Sequence, residues 1–121
     1  MNIDFTNVQS GFKTAAPGDY LAIIKSCELK TNKAGDGQYL NFTYEILDEG
    51  EAKDVKIWDI CSLKPAALWR LKGVMNNLGF DVAGEIDVVP EDFIGLEAVI
   101  TVAMDTYEGK EKNVIKEIKK A

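Results

Sequence analysis

Ser62 to Gly79 reads SLKPAALWRLKGVMNNLG, and this stretch decides the fold. Its apolar residues recur at helical spacing: Leu68, Leu71, Met75 and Leu78 fall at i, i+3, i+7 and i+10, with Ala67 and Val74 widening the stripe. Arg70, Lys72, Asn76 and Asn77 take the other side. Pro65 suits a first helical turn, where its missing N–H has no partner to lose. Gly79 suits the left-handed residue that closes a helix. The spacing therefore predicts one helix, with Trp69 on it as a packing residue.

The segments on either side alternate as strands do, three before the helix and two after. Strand two, residues 39–47, puts Leu40, Phe42, Tyr44 and Ile46 on an apolar face and Tyr39, Asn41, Thr43 and Glu45 on the other. Strand three, 54–61, turns Val55, Ile57 and Cys61 one way, with Asp59 between them, and Lys56, Trp58 and Ile60 the other. Strand one, 19–30, begins apolar on both faces, as a strand covered on two sides does. Strand four is 96–105 and strand five 113–118. TNKAGDGQ at 31–38 and TYEGKEK at 106–112 are the hairpin loops. One helix placed after the third of five strands is the layout of a small all-β Greek-key barrel, the OB-fold, over residues 19–121. Residues 1–18 form an N-terminal arm, partly ordered, with Phe5 and Phe12 as its anchors on the barrel.

A chain of 121 residues, 46% apolar and 28% charged, is enough for one globular domain. No apolar run reaches a membrane span, and MNIDFTNVQSGF lacks the pattern of a signal peptide. The expectation is a soluble protein of the cytoplasm. Cys27 and Cys61 lie inside predicted strands at no metal-like spacing and are expected as buried, reduced thiols. The net charge of −6 is local: residues 81–97 hold six acids and no base, while the remainder balances 14 acids against 14 bases. A basic groove elsewhere on the surface is compatible with that distribution.

Catalytic readings lack parts. There is no histidine, neither cysteine has an activating partner, and the glycine-rich stretches are hairpin loops, not phosphate cradles. The expectation is a protein that is not an enzyme and needs no metal or cofactor. Binding has better material. Trp58 and Lys56 share a strand face, which sets a stacking surface beside a phosphate partner. Tyr39 opens strand two nearby. Lys30 and Lys33 belong to the first loop, Lys110 and Lys112 with Tyr107 to the second, and Lys116 continues along strand five. A single nucleic-acid strand needs this mixture of rings and cations. Trp58 as a cap on the core is the competing assignment. Lysines in hairpin loops also serve as plain edge protection.

Three stretches together resemble a family of small bacteriophage single-stranded DNA-binding proteins with an OB-fold. They are YLNFTYEI at 39–46, LKPAALWRLKGVMNNLG at 63–79, and IGLEAVITV with YEGKEKNVIKEI at 94–102 and 107–118. The resemblance implies sequence-tolerant binding of single-stranded DNA during phage replication or recombination, in the host cytoplasm. The partners it implies are single-stranded DNA and phage recombinase or replication proteins; a homodimer is open. The alternative function is an OB-like protein-interaction module of a phage replisome or virion, working through the acidic connection at 81–97.

Overall fold

Alternating side chains build five strands: β1 (Gly18–Thr31), β2 (Gln38–Ile46), β3 (Lys56–Ser62), β4 (Glu97–Tyr107) and β5 (Lys110–Lys120). In the computed structural model they form one antiparallel sheet in the order β3-β2-β1-β4-β5. The structure describes residues 1–2 and 14–121, and of Tyr107 only the backbone. The expected anchors Phe5 and Phe12 lie outside the described residues. At the end of that arm Ala15 is buried, and its backbone exchanges two hydrogen bonds with the Asn113 side chain on β5.

The inner face is the one the alternation marked. Leu40, Phe42, Tyr44 and Ile46 are almost wholly buried, as are Val55, Ile57 and Cys61. Strand β1 departs from simple alternation. Ala22 and Ile24 face inward, the pairing with β2 then skips Lys25, and Cys27 is the next buried position. One extra residue flips the parity of everything after it. The bulge is why the buried set passes from even to odd residue numbers, while Leu21 and Ile23, on the other face before it, are only half-buried. It also falls where β1 changes partners, since β4 pairs with residues 18–23 and β2 with 22–31. A second bulge skips Lys116 in the β4–β5 ladder. The second hairpin is tighter than TYEGKEK suggests. Only Glu108 and Gly109 lie outside the strands, and both have positive φ (52° and 77°), as a type I′ turn requires.

Pro65–Ala67 forms a 3-10 turn that runs into helix α1 (Leu68–Leu78), closed by Gly79 at φ 98°. The helix buries Leu71, Val74 and Met75 against the sheet. The expected stripe is narrower at its start, because Leu68 is 41% exposed. Trp69, expected to pack, is 72% exposed. The acidic connection also contributes to the core. At the end of a 3-10 turn, Pro90–Phe93, the Phe93 ring is fully buried, edge-on to Phe42 with ring centroids 5.1 Å apart.

Following the antiparallel pairings across the sheet makes β3 and β5 parallel to each other. Among the described residues no ladder joins them, so the sheet is open at this seam where a closed barrel was expected. Helix α1 bridges the opening. Arg70 Nη2 donates to Asp59 Oδ1 of β3 at 2.6 Å and to the Ile115 carbonyl of β5 at 3.4 Å. Asn77 Nδ2 donates to the Ile118 carbonyl at 2.8 Å. Carbonyls that a neighbouring strand would otherwise occupy are thus satisfied by helix side chains.

Candidate nucleic-acid interface

The three-strand half of the sheet, β1-β2-β3, has an outer face whose rows follow from the register. Trp58 lies across from Thr43 and Ser26, Ile60 across from Asn41 and Glu28, and Tyr39 pairs with both Lys30 and Ser62. Lys56 begins the same face of β3 beside Glu45. Trp58 is 42% exposed and Ile60 is 55% exposed, so the Trp58 ring is on the solvent side of the sheet and not a cap on its core. Tyr39 is half-buried. It stands opposite Ser62, four residues along β3 from Trp58, which is about 13 Å at the usual rise of a strand. The two rings share a face.

A cleft of about 320 Å³ opens at the seam, lined by Trp58, Ile60, Arg70, Lys112 and Ile115 among others. Here the structure brings Trp58 and Lys112 together from opposite edges of the sheet. Lys112 lies on β5, paired with Asp105, and Lys110 pairs with Tyr107, so both belong to the strand and not to the loop. The Tyr107 side chain lies outside the described residues. Lys116, as the bulge residue, lines a different cleft with Trp69 on the helix side of the seam.

Lys33 is exposed in the first loop. That loop is ordered by Asn32, whose amide donates to Asp36 Oδ1 at 2.8 Å and whose Oδ1 accepts from the Asp36 N–H at 3.2 Å. The amide, with the Lys64 ammonium 3.7 Å away, holds the Asp36 carboxyl below the usual carboxylate range. Lys30 makes an exposed ion pair with Glu28 at 3.5 Å. Of the cations expected at the site, Lys30, Lys56 and Lys112 share the outer face or its cleft, while Lys33, Lys110 and Lys116 stand outside it.

Sequence reasoning missed Arg70. A lone acid on the apolar face of β3 was the signal, because a buried carboxylate needs a cationic partner. The Asp59 side chain is 11% exposed and Arg70 32% exposed. Burial raises the Asp59 carboxyl above its ordinary range against the pull of Arg70, and its Oδ2 makes no hydrogen bond. Burial also pushes the Cys27 thiol up to about 11 and Cys61 to about 12, which leaves both protonated and unreactive at neutral pH. Among the described residues no cluster of histidine, cysteine and acidic side chains could hold a metal ion. Nor is any helix there long and apolar enough to cross a membrane.

The chain belongs to the family described as protein of unknown function (DUF669), which it matches over residues 1–121. No curated protein matches it.

Proposed function

We propose that this is a non-catalytic domain of OB type that binds single-stranded DNA without strong sequence preference. The strand order supports the OB assignment. A sheet ordered β3-β2-β1-β4-β5, with parallel edge strands and one helix between β3 and β4, has the order expected of such a barrel opened at its last seam. The observation that carries the functional reading is the outward Trp58 ring, flanked by Lys56 on its own strand and by Lys112 across the cleft. A base offers a π-face to the ring, and the flanking phosphates meet the two ammonium groups. Tyr39, one strand over, and Lys30, two strands over, extend the same face. The resemblance to phage single-stranded DNA-binding proteins supports a role for this activity in phage replication or recombination.

Fluorescence anisotropy with labelled oligo-dT and with a labelled duplex of equal length tests the reading. Salt-sensitive binding of the single strand over the duplex is the expected result. Equal affinity for both, or no affinity for either, contradicts it.

A further inference from the structure

Three features on the helix side of the seam have no explanation in stability. Trp69 leaves 72% of its surface in water, although a ring of that size is normally a source of burial energy. Gly73 sits in the middle of α1, where glycine costs helix stability, yet an added Cβ there would meet no atom within 4 Å. Nothing inside the protein requires a glycine at that position. Lys116 is the extra residue of the β5 bulge, a device that re-aims a side chain. All three line one cleft of about 190 Å³, together with Arg70, Asn77 and Ile115.

The geometry assigns this cleft as a second binding site for the same unpaired strand, with Trp69 as its stacking platform. The assignment rests on the function proposed above. Arg70 and Ile115 line both this cleft and the one beside Trp58, so the two adjoin at the seam. Gly73 and Asn77 follow Trp69 at i+4 and i+8, which makes a shallow floor along one helix face, open because Gly73 has no side chain. Lys116 supplies a cation for a phosphate, as Lys112 does in the neighbouring cleft. A strand lying across Trp58 therefore has a path past Arg70 onto Trp69, with a ring at each end.

The test compares oligo-dT of about 5 and about 16 nucleotides, near the ends of the range that one OB-fold covers. Short oligonucleotides are satisfied by the Trp58 face, and only the longer ones reach Trp69. Trp69→Ala is expected to weaken the longer oligonucleotide about 5- to 150-fold and leave the shorter one unchanged. Gly73→Leu, which fills the floor and improves the helix, is expected to do the same, so a folding defect is not the cause. The longer oligonucleotide bound as tightly by either variant as by the unaltered protein overturns the path, as does an equal loss on both lengths. No binding of either oligonucleotide by the unaltered protein removes the function itself and this extension with it.

Discussion

Arg70 and Asp59 meet across the open seam of the sheet, Nη2 to Oδ1 at 2.6 Å, and the same nitrogen reaches the Ile115 carbonyl of the opposite edge. One guanidinium from the helix thus ties together two strands that do not pair. The pair is a stability element and a wall of the candidate groove at once.

Removing the guanidinium strands a buried carboxylate. Arg70→Met is expected to cost about 3 kcal/mol at neutral pH, the low end for breaking a buried pair, since the arginine keeps 32% exposure. Because burial already raises the Asp59 carboxyl above its unfolded value of 3.8, its ionisation weakens the fold at neutral pH. That penalty is relieved as pH falls through the raised value, and losing Arg70 raises it further. Urea melts of both proteins from neutral to mildly acidic pH should therefore show the deficit shrinking on acidification.

Trp58→Ala should weaken oligo-dT binding by about 1–3 kcal/mol, the worth of a stacked base, with little loss of stability. Phe93→Ala should do the reverse. It empties a fully buried site against Phe42 and should cost about 3–5 kcal/mol in a denaturant melt.

Phosphate neutralisation shows itself through salt. On a single strand, the slope of log K against log salt should shrink by about 0.7 for each phosphate that is no longer neutralised. Lys112→Gln and Lys56→Gln should each flatten the slope by that amount. Lys33→Gln, in the loop away from the cleft, should not.

Both thiols should be inert in the native state. With Cys27 at about 11 and Cys61 at about 12 against an unfolded value of 9.0, the folded protein keeps protons that the unfolded chain gives up. Stability should be insensitive to these groups below pH 9 and should decline as pH rises above it. Thiol titration at neutral pH before and after unfolding checks the first point, and melts at rising pH check the second.

Much of the fold is legible in residue order. Strand β2 alternates cleanly because only one of its faces meets the core, and Gly79 marks the end of the helix because its φ of 98° excludes most other residues. The β1 bulge is not legible, since one extra residue reverses inside and outside without any change of composition. The size of Trp69 argues for packing, whereas its place on the helix turns it to the seam. The Asp59–Arg70 pair joins two elements whose approach only tertiary structure sets. Phe93 is masked by the acids around it, which mark the surface of that connection and not its single inward ring.

Amide chemical-shift mapping with oligo-dT shows whether an unpaired strand lies on the outer face of β1-β2-β3. Perturbations are expected on Lys56, Trp58 and Ile60 of β3, on Tyr39 of β2 and on Lys112 of β5, weakening as salt is added. Spectra that do not move, or shifts confined to the acidic connection at 81–97, would contradict that placement.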